Sequence, residues 1–214
     1  LRGLLLMLGL LVVQPAWAGE PSWVTLGDHV GADDVTVVLG EDAGGLWLLA
    51  GEVRRQLGRP VQGMTLEIVD PDGVRRYVDA GVGLVGGDLS CQGELALVTL
   101  DGTVLVGPPE GLQPLALGDL FVTQARWDPE GRQLAITAWS GGARPWGVHT
   151  AATVEDLVRA LDCDVHVVDE AGRSRQLTHG PKQDYNPVWS PDGQQVMFVS
   201  LRTSYASLFL ADEA

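Results

Sequence analysis

Lysine is almost missing from this chain of 214 residues. Lys182 is the only one, and arginines supply the rest of a basic complement of 14 against 28 acidic residues, for a formal charge of −14. Nucleic-acid binding needs clustered cations to neutralise phosphate, so the composition argues against that class. Acidity of this degree serves solubility first. No apolar run reaches the roughly 20 residues that a membrane-spanning helix needs. Cysteine occurs twice, at Cys91 and Cys163, with neither metal-ligand nor C-x-x-C spacing. An oxidising compartment would permit a disulfide between them, and two unrelated buried thiols fit the sequence equally well. The four histidines, His29, His149, His166 and His179, are scattered, so no metal site is expected. No G-x-S-x-G nucleophile elbow is present. Asp70-Pro71-Asp72-Gly73 opens like a calcium loop but lacks the later ligands and the twelfth-position glutamate. The chain reads as a non-enzymatic protein with no cofactor.

What the chain does have begins with an export signal. Arg2 precedes an apolar run from Leu4 to Val13, followed by Gln14-Pro15 and the small-residue pattern Ala16-Trp17-Ala18. Cleavage is expected after Ala18, and no cysteine follows that would take a lipid. The mature chain, 214 − 18 = 196 residues, is large enough for one domain with a sizeable core. A periplasmic or secreted location follows from this reading.

The body of the chain is a decaying repeat. Trp189-Ser190-Pro191-Asp192-Gly193 leads into the apolar alternation Val196, Phe198. Proline pre-sets φ for a turn, aspartate bonds its own backbone, and glycine accepts positive φ, so the segment predicts a hairpin. Trp127-Asp128-Pro129-Glu130-Gly131 with Leu134 and Ile136 is a second copy. Leu89 with Gly93, and the segment 40–50, which keeps only turn glycines and a second arm, are fainter ones. A different hairpin type lies between them at 65–77, 103–115 and 164–178. Each unit is thus four short strands, and the step 127 − 89 = 38 suits a propeller blade of roughly 40–45 residues. The step 189 − 127 = 62 carries an insertion, 140–163, with a glycine-rich loop and a helix. Thr153 is its N-cap, and Val154, Leu157, Val158 and Leu161 recur at helical spacing. The expected fold is all-β: a β-propeller of about four four-stranded antiparallel blades, incomplete, with one short inserted helix. The last unit ends at a third strand, and Val35–Leu39 is a candidate to complete it as a fourth.

Arg175-Gln176-Leu177-Thr178, then Asn186-Pro187-Val188-Trp189-Ser190-Pro191-Asp192-Gly193, then Ser200-Leu201-Arg202 and Ser207-Leu208-Phe209, closely resemble the TolB-type, WD-repeat-like β-propeller repeat. The match is closest over 164–210, recognisable over 121–139, and fades before 107. The resemblance assigns 19–214 to a partial TolB-like propeller domain. It implies a scaffold for protein or cell-envelope interactions, as in the periplasmic TolB protein of the Tol–Pal system. The alternative it carries is an accessory propeller of a prolyl-oligopeptidase-type hydrolase. Two features depart from TolB itself: only about sixteen residues separate the signal from the first strand pattern, and the S-x-R-x-G ending lacks its glycine.

Candidate site residues follow. Trp127, Asp128, Pro129, Gly131, Trp189, Ser190, Pro191, Asp192 and Gly193 hold repeat positions and are read as scaffold. Arg144 and Trp146 in the insertion, His179 in an inter-blade loop, and Tyr185 and Arg202 near the last repeat are candidates for contacting a partner. Asn186 belongs with them. His166, between Val165 and Val167, is read as a sheet-face residue.

Overall fold

The structure is a computed structural model that describes residues 36–212 apart from 52, 57, 58, 150, 181 and 204. The expected export signal, 1–18, lies outside them. The first sheet is built from β1 (Thr36–Asp42), β2 (Gly45–Ala50), β5 (Thr65–Val69) and β6 (Arg75–Val78). A separate hairpin, β3 (Arg54–Gln56) and β4 (Arg59–Gln62), is inserted between its second and third strands. The second sheet is β7 (Leu84–Leu89), β8 (Leu95–Thr99), β9 (Val104–Gly107) and β10 (Gln113–Pro114). The third is β11 (Phe121–Trp127), β12 (Leu134–Trp139), β13 (Asp164–Val168) and β14 (Ser174–Gln176). Its insertion holds a 3-10 turn, Pro145–His149, and the helix α1, Val154–Ala160. The fourth has three strands among the described residues: β15 (Asp184–Trp189), β16 (Gln195–Ser200) and β17 (Ser207–Asp212). All pairings are antiparallel and join strands consecutive in the chain, except that β2 pairs with β5 across the inserted hairpin. This is an all-β propeller fold with one short helix.

Each blade places its first strand innermost, with β7 against β1 and β11, and β15 against β11. The blades stack through apolar faces that neither could bury alone. Leu49 and Leu66 of the first meet Leu95 and Leu97 of the second. Ala96 and Val98 meet Val122 and Ile136 of the third. Ala135, Val165 and Val167 then meet Trp189, Val196 and Phe198 of the fourth. Consequently β8 and β12, covered on both sides, are buried at every position, as sandwiched strands should be. β16 instead alternates buried and half-buried residues, because one of its faces is covered by a described blade and the other is not. Each leucine fully buried in these seams contributes on the order of 2 kcal/mol.

Two sequence expectations are corrected here. Thr36–Asp42, which takes in most of the Val35–Leu39 candidate, does not complete the last blade. It pairs with β2 in its own blade, Val38 opposite Leu48, because its apolar residues fit the seam with the second blade. The segment 40–50 therefore has both arms rather than one. The inserted helix is present with its capping box, Thr153 accepting from the Asp156 backbone and Asp156 bonding back. Its apolar stripe, however, is not packed: Val154 is 79% exposed, and Leu157, Val158 and Leu161 are also exposed. Only Ala160 is buried, because the residue docks Gly147 of the 3-10 turn.

Candidate functional site

In an up-and-down blade, the turn after the first strand and the turn after the third strand share one end. The turn after the second and the passage to the next blade share the other. Both insertions lie after a second strand, so both rise from the same end of the propeller. Contacts across the seams fix this orientation. On the plain end, Gln92 Nε2 donates to the Glu130 carbonyl at 2.7 Å. On the insertion end, Met64 and Leu84 exchange backbone hydrogen bonds, and the Asp184 amide donates to the Cys163 carbonyl at 2.8 Å.

The two insertions meet above the second blade. Phe121 and Trp146 pack edge to face with centroids 4.9 Å apart. The Arg144 guanidinium lies 4.8 Å from the Phe121 ring, and Arg59 from the β3–β4 hairpin lies 6.0 Å from the Trp146 ring. Cation–π contacts of this kind are worth about 0.5–2 kcal/mol. The Trp139 indole donates to the Ala160 carbonyl at 3.0 Å, tying the helix back to β12. Arg144 and Trp146 therefore build a bridge rather than standing free.

Beside that bridge, at the propeller axis, opens a cleft of about 460 Å³. Four repeated irregularities shape it. Each innermost strand slips register near its start: between Val38 and Gly40, Leu84 and Gly86, Val122 and Gln124, and Tyr185 and Val188. A bulge re-aims side chains, and here Val85, Thr123, Gln124 and Tyr185 line the opening. Gln124 holds the third bulge to the fourth. Its Oε1 accepts from the Asn186 backbone and from Thr137 Oγ1, both at 2.9 Å, and its Nε2 donates to Asn186 Oδ1. Asn186 adopts a positive φ of 55°, a conformation asparagine tolerates better than most residues. Arg55 and Arg126 complete the polar lining with Gln183, and Trp139 and Cys163 lie behind.

The remaining candidates have other surroundings. Arg202 is an anchor: it donates to Asp184 Oδ2 at 2.7 Å and to Ser200 Oγ at 2.8 Å, and lies over Phe198 and Phe209. Its aspartate is 1% exposed. His179 is exposed in the loop leading to β15. His166 is buried, with Nδ1 3.2 Å from Ser174 Oγ, and burial lowers its pKa to about 4. Trp189 fills the seam with the third blade and donates from Nε1 to the Arg126 carbonyl at 3.2 Å. Trp127 occupies the matching position one seam earlier, but its buried Nε1 has no partner among the described residues. The repeated turns are held by side chains: Asp128 Oδ1 accepts from Arg132 and Gln133 amides, and Ser190 Oγ accepts from the Gln195 amide. Gly131 and Gly193 take φ of 68° and 69°, and Pro129 and Pro191 begin those turns. Asp192 accepts from Ser190 Oγ at 2.6 Å. Cys91 and Cys163 are unbonded thiols, the first exposed and the second buried, its pKa pushed up to about 12 by desolvation.

Sequence reasoning missed Arg55, Arg59, Gln124, Arg126, Trp139 and Gln183. A length signal for the first two was present. Fourteen residues separate Ala50 from Thr65, where Thr99 and Val104 are separated by four, so an inserted element was legible there. Arg126 stands one residue before a repeat tryptophan, and Asp88 holds the equivalent place one blade earlier. These two interact across the seam. Asp88 Oδ2 accepts from the Trp127 amide at 2.8 Å, and Arg126 Nη1 donates to the Gly87 carbonyl at 2.7 Å. Burial pushes the Asp88 carboxyl up to about 6 despite the opposing charge of Arg126 and the backbone donors.

No family model matches the sequence, and no curated protein matches it. Solved structures do match the fold. A putative TolB from Agrobacterium tumefaciens superposes with a TM-score of 0.57 at 19% identity, covering 83% of this chain and 58% of that one. TolB from Acinetobacter baumannii gives 0.53 at 14% identity, covering 85% and 55%. An oligogalacturonate lyase from Vibrio parahaemolyticus gives 0.58 at 12% identity, covering 86% and 52%. The chain thus spans somewhat over half the length of these structures, and its fold is that of a TolB-like propeller.

Proposed function

We propose that this chain is an exported, non-enzymatic propeller whose insertion-bearing end holds a protein or cell-envelope component. The observation that carries the reading is the convergence of two insertions, from the first and third blades, beside one axial cleft. Loops that break a repeat on a rigid scaffold are where recognition concentrates. No helix among the described residues is long and apolar enough to cross a membrane. A periplasmic or secreted location is part of the proposal and rests on the leader pattern of residues 1–18. So is a single mature domain, 19–214. Fold likeness supports the scaffold beneath this reading, while the role is argued from the site.

The alternative, an accessory propeller of a larger hydrolase, is favoured by one likeness. The tricorn protease superposes with a TM-score of 0.53 at 15% identity, and this chain covers 15% of it. An immunoblot of the native protein separates the two, since a hydrolase would run far heavier than the 22.8 kDa of this chain. The binding reading is tested by capture from cell-envelope extracts with the wild type, Tyr185→Ala, Arg59→Ala and, on the plain end, Glu130→Ala. The expected result is one specific band retained by the wild type and Glu130→Ala and lost by the other two. Equal capture by all four overturns it.

A further inference from the structure

The insertion returns to the third blade through Asp162-Cys163-Asp164, and the passage to the fourth blade arrives beside it at Asp184. Backbone and thiol join the two. The Asp184 amide donates to the Cys163 carbonyl at 2.8 Å, and Cys163 Sγ lies 3.7 Å from the Asp184 carbonyl. Three carboxyls crowd this junction. Asp184 is buried, and its Oδ2 accepts from Arg202 Nη2 at 2.7 Å. Asp164 accepts from Gln176 Nε2 at 2.8 Å and from Thr178 Oγ1 at 3.2 Å. Asp162 Oδ1 is buried and has no partner among the described residues. A buried acceptor with nothing to accept costs free energy, and a charge placed on it costs more.

The surrounding charges do not offset three carboxylates. Arg202 is paired with Asp184. The loop before Asp184 carries exposed His179 and Lys182, and His179 offsets part of the repulsion on Asp164. Arg175 of β14 stands opposite Val167, three residues along β13 from Asp164. The strands β12 and β16, which pair with β13 and β15, carry no ionisable side chain. The Cys163 thiol is pushed up to about 12, chiefly by burial, so it adds no charge at neutral pH. Burial, then the charges of Asp162 and Asp184, push the Asp164 carboxyl up to about 6. Burial and the Asp184 charge raise Asp162 as well.

We propose that this junction is a proton-operated clasp: it fastens the root of the inserted helix to β15 when Asp162 and Asp164 carry protons, and releases that root when both ionise. Each proton, taken from solvent, removes a negative charge and supplies an O–H donor where carboxylates can only accept. Because both shifts are upward, the closed state holds the extra protons. Closure is therefore strongest below pH 4 and weakens as pH rises through about 6. Cys163 and Gln183 line the axial cleft, so release loosens one of its walls. The Trp139–Ala160 hydrogen bond involves no ionisable group and keeps the helix tethered in both states. The clasp is independent of the binding reading, and its test needs no partner.

The buried thiol reports the clasp. In a Cys91→Ala chain Cys163 is the one remaining thiol, and its labelling by dithiodipyridine is followed from pH 5 to pH 7.5. The rate relative to an Asp162→Asn/Asp164→Asn counterpart is expected to rise about tenfold over that range, as a carboxyl at about 6 against an ordinary value of roughly 4 requires. Dividing by the double variant removes the thiol's own pH dependence. Asp162→Asn alone is expected to take away part of the rise, and it keeps the test decisive where Asp164→Asn disturbs Gln176 and Thr178. A ratio that stays flat overturns the proton linkage. Labelling no faster than the global unfolding measured in urea means that the root does not open on its own, and overturns the clasp. Gly86→Leu checks the route of the reagent: a Cβ there would meet only the Thr123 carbonyl, at 3.9 Å, so the larger side chain fills the cleft. Labelling that survives this change supports opening at the junction. Labelling lost with it means static entry along the cleft, and overturns the clasp.

Discussion

Replacing each of the two equivalent tryptophans by phenylalanine separates their roles. Trp127 and Trp189 hold the same place in successive repeats, and both face the seam with the preceding blade. The Trp189 Nε1 donates to the Arg126 carbonyl at 3.2 Å, whereas the Trp127 Nε1 is buried with no partner among the described residues. Trp189→Phe removes a hydrogen bond, a cost of about 0.5–1.5 kcal/mol, and adds a cavity at a residue only 8% exposed. Trp127→Phe removes a buried donor that bonds nothing, which offsets much of the lost packing. The expected difference between the two variants is about 2 kcal/mol, with Trp189→Phe the less stable. Equilibrium unfolding in urea, followed by circular dichroism rather than by the altered fluorophores, measures both midpoints and slopes. Equal destabilisation, or the reverse order, would refute the assignment of Trp189 as a hydrogen-bonded clamp between the third and fourth blades.

Further outcomes follow from the same geometry. Burial pushes the folded Asp88 carboxyl up to about 6, above the ordinary aspartate range, so the stability it permits is present below pH 4 and is lost as pH rises through 6. Asp88→Asn, which keeps an oxygen for the Trp127 amide, should therefore be more stable than the wild type at pH 8, by an amount on the order of 3 kcal/mol. The gap should close by pH 4, and a pH-independent gap would contradict it. Arg202→Ala leaves Asp184 buried without its partner and should cost about 2–3 kcal/mol in urea unfolding; a change within error would show that the pair is not structural. Gly131→Ala should cost more than Gly193→Ala, since both take positive φ but only the first Cβ would meet Ser90 at 3.0 Å. Thermal melts of the two variants rank them directly, and a larger loss for Gly193→Ala would refute the packing argument.

The architecture was legible where turn chemistry and alternation coincide. Trp189 to Phe198 and Trp127 to Ile136 carry proline, aspartate and glycine at fixed offsets, and these residues have physical reasons to turn. The first blade was harder to read because Thr36–Asp42 has no such marker before it. Its apolar residues fit either an innermost or an outermost strand until packing against Leu84 and Leu95 decides. The helix was legible from its cap and period, but a period cannot say whether a partner exists to bury the stripe. The candidate site was least legible. Arg126, Gly86 and Tyr185 fall far apart in sequence and become neighbours only because bulges recur at the start of every innermost strand. Trp146, read from sequence as a candidate for contacting a partner, packs against Phe121 and lies under Arg59, contacts that only the folded insertions bring about.

The most direct measurement places a photo-crosslinking benzoylphenylalanine at position 183, at the cleft, and separately at position 170, on the plain end, in the producing cell. Irradiation is expected to yield one discrete adduct from position 183, abolished by adding Gly86→Leu, and none from position 170. Adducts from position 170 alone, or from 183 regardless of Gly86→Leu, would contradict the claim that this propeller binds its partner through the insertion-bearing end.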